Sequence, residues 1–527
     1  MRIACIGGGP GGLFAAILLK TANPAREVTV FERNRAEDTF GFGVVFSDAT
    51  LTGINAADPV LGAALTNHGS YWDHIEVRVK GERLRYGGNG MAAVERKTLL
   101  HLMQRKAIDV GVDVRFSTTV QSDELVDAGY DLVIASDGAN SGLREKFQEV
   151  FEPSVETASA KFIWFGTTYA FDGLTFVHER APQGVFAAHT YPIGNGTSTF
   201  VVETDEASWL AAGLDEFDVT QPPGKSDERS RLYLEELFSD QIEGHQLLAN
   251  NSRWGNFRTR RARQWRHREG STAFVLLGDA AHTAHFSVGS GTKMAMEDAV
   301  ALAAALDEHA TDIDAALAQY ESVRLPQVTK IQDAARPSLA WWEKFGRSYD
   351  AFPPWQFAYH FFTRSISDSK LRRRDGEIVS DVHASWKAQY GAEPLESPIE
   401  LVGQRLPGRM VSIVDGAIQL PVGTLPLAAQ PPGERHPWGL IVQAPADESA
   451  LVSTLKTVTE GVAAGASLVA VTGGTAFTRR QVSETVRIEH NVVSLLIEEG
   501  DDVDTALTAV LSGRTDLVAT PDSVVTA

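Results

Sequence analysis

The chain of 527 residues holds a single cysteine, Cys5, so no disulfide can form within it. That thiol lies in the apolar run Arg2-Ile3-Ala4-Cys5-Ile6, where a buried structural role is expected rather than a nucleophilic one. No apolar run approaches the ~18 residues of a spanning helix, which argues against a membrane protein. Basic residues are short as well. Lys and Arg number 48 against 68 Asp and Glu, a net charge of -20 that argues against nucleic-acid partners and adsorption to anionic membranes. A glycine motif starting at residue 7 leaves no room for a leader, so the cytoplasm is the expected location. Aromatic residues almost vanish after about residue 411, a composition shift that marks a separate region. What remains, 43% hydrophobic and 22% charged, is soluble, globular and too long for one core.

The first apolar run leads into Gly7-Gly8-Gly9-Pro10-Gly11-Gly12 and then the helical stretch Leu13–Leu19. Gly7, Gly9 and Gly12 match G-x-G-x-x-G, and Glu32, followed by Arg33, closes a second strand at Val28–Phe31. The turn glycines would admit a pyrophosphate to the amides of a helix start, and the acid would hold a ribose hydroxyl. A second strand-to-turn unit runs from Asp131 to Arg144 and delivers Asp137 and Gly138. A third, Val275–His282, ends in Gly278-Asp279. Either of the last two alone is equally a strand end with a capping Asp.

In this order and spacing the three motifs resemble the single-component flavin aromatic hydroxylases, the family of para-hydroxybenzoate hydroxylase, over roughly residues 1–375. The resemblance implies an α/β fold with a Rossmann-like FAD-binding domain (1–160 and 255–375, discontinuous). The β-branched and aromatic runs Phe162–Tyr169 and Thr197–Glu203 predict an inserted antiparallel-sheet substrate domain (161–254), Pro394, Pro398 and Pro407 a linker (376–410), and the composition shift a small C-terminal α/β domain (411–527). The resemblance also implies bound FAD, NADH or NADPH as reductant and O₂ as co-substrate. Asp279 would meet the ribityl chain or a ribose, Asp137 and Gly138 would touch FAD, and Arg96, opening a helix, would bind its diphosphate. The alternative for Arg96 is a cation on a helix surface. Gly41–Asp48 and His285–Met294 resemble the acyl-CoA branch, which lacks the proline usual between the Gly-Asp motif and the later glycines. Gly289, Gly291 and Thr292 would then face the flavin ring.

That branch implies an aromatic acyl-CoA substrate, first salicylyl-CoA hydroxylated to gentisyl-CoA. A 2-aminobenzoyl-CoA, a free indole-type aromatic, and a flavin-binding scaffold without turnover stay open. A neutral imidazole suits proton removal from an activating phenol or amine. His285 is the first candidate and His282 the second, each with the alternative of a loop hydrogen bond; His74 and His189 are weaker. Phe286 and Trp164 are candidates for the ring pocket or for plain core. Arg258, Arg260, Arg261, Arg263, Arg266 and Arg268, and a second run including Arg372 and Arg373, are candidates for CoA phosphates or for pairing with this chain's many carboxylates.

The tail resembles the last strands of a flavin-reductase barrel of the old-yellow-enzyme type, but it is shorter than the ~200 residues a full (β/α)₈ barrel needs. Glu498-Glu499 and Ala519-Thr520-Pro521 stand where glycines and Gly-Arg would hold an FMN phosphate. A remnant without a second flavin is expected, serving packing, homodimerisation or as a lid; a thioredoxin-like tail is the alternative.

Overall fold

The computed structural model describes every residue except 40, 219, 222, 223, 290, 433–435, 501, 520–523, 526 and 527. Contacts divide the chain into two units, Met1–Arg78 with Asn89–Glu343, and Val79–Gly88 with Lys344–Ala527. Among the described residues no helix is long and apolar enough to cross a membrane.

The first unit is built on a six-stranded sheet. Its order is Arg266–Glu269, Thr272–Leu276, Leu132–Ala135, Arg2–Ile6, Glu27–Phe31, Asp113–Arg115, with only the first pairing antiparallel. Central strands of such a sheet are covered on both faces and therefore read as unbroken apolar runs. Cys5 sits between Val30 and Ile134, fully buried, and burial pushes its thiol up to about 12. The helix Pro10–Ala22 follows the first strand, with Pro10 in its first turn and Leu13, Phe14, Ile17 and Leu19 buried. Three motif-bearing strands thus end side by side, and in open α/β sheets ligands bind beyond the carboxyl ends of strands.

Inserted in this unit is an antiparallel sheet wider than expected. Its long strand Pro153–Thr167 begins before residue 161 and pairs with Gly255–Ala262, with Thr197–Thr204 and with Leu247–Ala249. Gly184–Gly194 and Leu174–Ala181 extend it. Side chains alternate across a strand. Ile163, Phe165, Val177, Phe186, Phe200 and Val202 face a core closed by Leu234, Phe238 and Ile242. The alternate positions carry Phe162, Trp164, Phe176, His178, His189, Tyr191 and Glu203, so this sheet has one plainly apolar face and one mixed aromatic and ionisable face. Helices Gly291–Glu308 and Ile313–Trp342 complete the unit.

In the second unit the stretch expected as a linker carries the helix Gly376–Tyr390 and the hairpin Ile399–Leu401/Gln404–Leu406. Beyond it, Thr424–Ala428, Gly439–Gln443, Leu468–Thr472, Val493–Ile497 and Leu517–Ala519 lie parallel and in chain order, the last four joined by helices Leu451–Ala463, Ala476–Glu489 and Val503–Leu511. Neighbour-after-neighbour order is that of a β/α barrel, not of a doubly wound sheet, whose order reverses. Val518 N–H donates to Arg409 O at 2.9 Å and Val411 N–H to Val518 O at 3.0 Å. The last strand therefore returns to the segment before the first, and the arc closes. Leu468, Ala470, Leu495, Leu517 and Ala519 fill its inside, while Val469 and Val471 pack in the cluster holding Val458, Val482 and Val486 of the helices.

Candidate functional site

The first turn is shaped by contacts that leave one side open. Gly7 has φ +106°, and a Cβ there would meet Ser136 O at 2.3 Å. A Cβ on Gly12 would lie 2.2 Å from Gly7 O. A Cβ on Gly9 would meet nothing within 4 Å. Gly9 also caps the Pro10–Ala22 helix without any side-chain bond, so its first amides remain available to an anion. Glu32 accepts from Gly8 N–H at 2.7 Å and, through its other oxygen, from Asn34 N–H at 2.8 Å, so the acid is fixed at the lip of the turn. Arg33 beside it is exposed.

The other two motifs are tied to each other. Arg144 donates to Ala139 O at 2.7 Å in the second motif and to Ala280 O at 2.7 Å in the third. Asp137 accepts from Gly142 N–H at 2.9 Å with one oxygen; the other is buried without a partner, and burial raises the carboxyl above its usual range. Gly138 has φ +85° and faces open space. The Asp279 side chain is open to solvent yet enclosed by protein, as expected on a concave wall. Enclosure pushes its carboxyl up, opposed by His282, Arg96 and Arg260. Half-buried Arg96 is lowered by its burial and steadied by Asp279 and Tyr191. Gly289 (φ +61°) and Gly291 also face open space where the Gly291–Glu308 helix begins, with Thr292 in its first turn; Ser290 between them lies outside the described residues.

The two leading histidines have different surroundings. His282 is locked in the core: its Nε2 meets Asp298 Oδ2 at 2.7 Å, and Arg324 Nε donates to Asp298 Oδ1 at 2.7 Å. Asp298 also accepts from Gly278 N–H at 3.0 Å, so this triad braces the third motif from behind. His285 stands on the mixed face of the inserted sheet. Its Nε2 meets Glu203 Oε1 at 3.1 Å and its Nδ1 meets Ser287 Oγ at 2.7 Å. His189 Nε2 lies 2.7 Å from the other Glu203 oxygen. The two imidazoles hold Glu203 down at about 2, against its burial. Phe286 packs near Phe162, Trp164, His189 and Phe257 at ring separations of 5.1–6.1 Å. His74 instead approaches Asp172.

A family model described as FAD binding domain matches residues 1–335, which contain every motif of this cradle. The chain belongs to the FAD binding domain family. It is 56% identical over 525 residues to a salicyloyl-CoA 5-hydroxylase of Streptomyces sp, covering 98% of this chain and 99% of that protein. It is 35% identical over 344 residues to 3-hydroxy-4-methyl-anthranilyl-[aryl-carrier protein] 5-monooxygenase of Streptosporangium sibiricum, covering 65% and 90%. The fold is that of a 2-methyl-3-hydroxypyridine-5-carboxylic acid oxygenase variant (TM-score 0.52, 18% identity, 65% of this chain, 93% of that one). It is also that of P. aeruginosa PqsL in complex with 2-aminobenzoylacetate (TM-score 0.50, 23% identity, 67% and 99%). FAD is thus the cofactor, and the residues present fit it: a Cβ-free approach at Gly9, uncapped amides, a carboxylate fixed at the lip of the turn at Glu32 and an enclosed Asp279 beside Arg96.

The arginine cluster divides in this setting. Arg261 pairs with Asp333 at 3.1 Å, Arg263 with Glu152 at 2.8 Å, Arg266 with Glu321 at 3.4 Å and Arg268 with Asp314 at 2.9 Å. Arg258 and Arg260, on alternate positions of one strand, make no close ion pair among the described residues; Arg260 reaches Asn140 at 3.3 Å and feels the Asp279 carboxylate. In the second unit Arg372 approaches Asp368 at 3.5 Å, while Arg373 is exposed. Glu498 and Glu499 hold Arg479 at 3.1 and 3.0 Å; Thr520 and Pro521 lie outside the described residues.

Sequence reading did not single out Glu203, Asp298, Arg324 or Arg144 as functional. Glu203 was the findable one. It is a carboxylate directly after Phe200-Val201-Val202 on a buried strand, where a charge needs a partner.

Proposed function

We propose that this protein is an FAD-dependent monooxygenase that hydroxylates salicyloyl-CoA at ring position 5, giving gentisyl-CoA, with NADH or NADPH as reductant. The observation that carries the reading is the 56% identity over 98% of the chain, which extends through the second unit. Bound FAD supplies the reduction of O₂ and delivery of an electrophilic oxygen. The chain supplies the rest. The amides of the Pro10–Ala22 helix, Glu32, Arg96 and Asp279 hold the dinucleotide. The wall of Phe162, Trp164 and Phe286 excludes water and orients the substrate ring. The buried histidine pair at Glu203 sits where a phenolic proton must be managed. Arg258 and Arg260, in no close ion pair, are the cluster members suited to CoA phosphates, since a guanidinium fork matches phosphate geometry. A cytoplasmic location suits a chain whose single thiol is buried; a homodimer is compatible, and sedimentation decides it.

The test is product identification. Purified protein is incubated with FAD, NADH or NADPH, O₂ and, in parallel, salicyloyl-CoA, 2-aminobenzoyl-CoA and free salicylate. One oxygen added to salicyloyl-CoA at position 5, with stimulated reductant consumption, supports the reading. Turnover confined to the aminobenzoyl thioester or the free acid would replace it. Reductant consumption unaffected by any aromatic would leave a flavin-binding scaffold.

A further inference from the structure

Glu203 is buried at 1% exposure and joins two histidines that come from different parts of the first unit. His189 belongs to the inserted sheet, on the strand Gly184–Gly194. His285 belongs to the loop that leads into Gly289 and Gly291. That loop is tied at its other side by Ser287 Oγ, 2.9 Å from Ser338 Oγ on the helix Ile313–Trp342. A buried polar path therefore runs from the aromatic face of the sheet, through the flavin-side loop, to the long helix. Trp342 covers the His189 ring at 4.1 Å.

The charge balance of this path is constrained. An isolated buried carboxylate is disfavoured, and one imidazolium neutralises it. Two imidazoles face it, one on each oxygen, and a single proton over the pair would make the unit neutral. A second proton would leave a net positive charge in an aromatic-lined interior, and loss of the first would leave a net negative one. Coupled groups of this kind titrate as a unit. The groups around it do not supply the missing charge. His178 is pushed down to about 3 by burial and is neutral, and Tyr191 is pushed up to about 12. In the cleft on the other side of His285 stand Glu156, Arg261 and Arg336; Arg261 is matched by Asp333 and Arg336 by Glu343.

We propose that Glu203 is a positioning residue for hydroxylation: it keeps one shared proton on His189 and His285, and through His285 it pins the loop of Gly289 and Gly291 against the substrate-facing sheet. The inference rests on the monooxygenase reading above and deepens it. Glu203 touches neither flavin nor substrate in this account. It acts by fixing the charge and place of groups that do. The sign follows from the pairing: Glu203 is the counter-ion that both imidazoles face, so an activity that needs a proton there should fall at high pH. Without the carboxylate that fall moves to lower pH.

The test uses the FAD-loaded full-length protein carrying Glu203→Gln, Glu203→Asp or His189→Gln. Glu203→Gln is expected to stay yellow and to keep KM for salicyloyl-CoA within about threefold while kcat falls about 100-fold. Its high-pH limb should move down by about one pH unit or more, and product formed per reductant oxidised should drop. Glu203→Asp should restore much of both. A purely structural role would not shift the pH limb, so Glu203→Gln with the wild-type limb and coupling ratio overturns the proposal. If Glu203→Gln does not fold, His189→Gln, which leaves Glu203 with His285, must move the same limb; an unmoved limb then overturns it. Wild-type protein that makes no gentisyl-CoA refutes the functional reading instead. In that case the absorbance of bound FAD against pH still tests Glu203, because the loop it pins carries Gly289 and Gly291. A wild-type spectral titration absent from Glu203→Gln sustains the pinning, and identical titrations refute it.

Discussion

Alanine at two glycines of one turn should give opposite phenotypes. At Gly12 an added methyl would lie 2.2 Å from Gly7 O and 2.3 Å from Ser136 Oγ, so the helix must move off the strand. Overpacking of this kind costs about 1–3 kcal/mol, and the upper end applies because the first obstacle is a backbone carbonyl. At Gly9 the same methyl meets no protein atom within 4 Å, so the fold should not register it. It would instead stand in the approach to the uncapped amides of the Pro10–Ala22 helix, the place proposed above for the FAD pyrophosphate. Weakening one charge-assisted hydrogen bond there costs about 1.5–3 kcal/mol, or about 10- to 150-fold in Kd. The assay needs flavin-free protein. Urea unfolding of the apoprotein reads stability, and titration with FAD, followed by quenching of flavin fluorescence, reads affinity. Gly12→Ala should lower the unfolding midpoint of the apoprotein; Gly9→Ala should leave it unchanged and raise Kd. The reasoning is refuted if Gly9→Ala binds FAD like wild type, or if Gly12→Ala apoprotein is as stable as wild type.

Asp298→Ala should destabilise the first unit by about 1–3 kcal/mol, because it leaves His282 and the Gly278 amide without their buried acceptor while Arg324 keeps only Glu297 as a carboxylate partner; chemical denaturation measures it, and a change under about 0.5 kcal/mol would deny the triad its bracing role. Arg260→Ala should raise KM for salicyloyl-CoA well above that of Arg268→Ala, whose guanidinium is already held by Asp314; equal kinetics would remove Arg260 from thioester binding. In the second unit Glu484 is held at about 2 by His360, Arg347 and Arg514, while burial takes His360 down to about 3. A carboxyl below its ordinary 4.5 contributes stability that is complete above that value and is lost as pH falls toward 2. A histidine held neutral likewise loses stability as pH drops below 6.5. Acid should therefore unfold this unit, and Glu484→Gln should flatten the pH dependence seen by circular dichroism.

The glycine turn and the acid beside it were legible because their requirements are local. A glycine whose added methyl would strike Ser136 O, another facing open space, and an acid at the end of the next strand leave a fixed spacing in the chain. The inserted sheet was also visible as β-branched and aromatic runs. Its true start at Pro153 was not, since Ser154–Glu156 pair with Arg261–Thr259, and cross-strand partners a hundred residues apart carry no local signature. The same reason hid Glu203. Its meaning depends on His189 and His285, 14 and 82 residues away, and only folding brings the three together. The arginine cluster misled in part because density along the chain says nothing about partners: four of its six members meet carboxylates from Glu152, Asp314, Glu321 and Asp333. The stretch 376–410 was taken for a linker on its prolines, yet Val379, Val382 and Trp386 give the Gly376–Tyr390 helix a buried stripe.

The placement of Cys5 has a chemical consequence for a protein that works with oxygen. Oxidants attack thiolates, and a thiol shielded by Val30 and Ile134 and pushed to about 12 has almost none at neutral pH. Any reactive oxygen species escaping an unproductive cycle would find no sulfenic acid to form and no second cysteine to crosslink. The folded enzyme should therefore outlast repeated misfires without thiol reductants in its buffer, with the six methionines left as its main oxidisable sulfur.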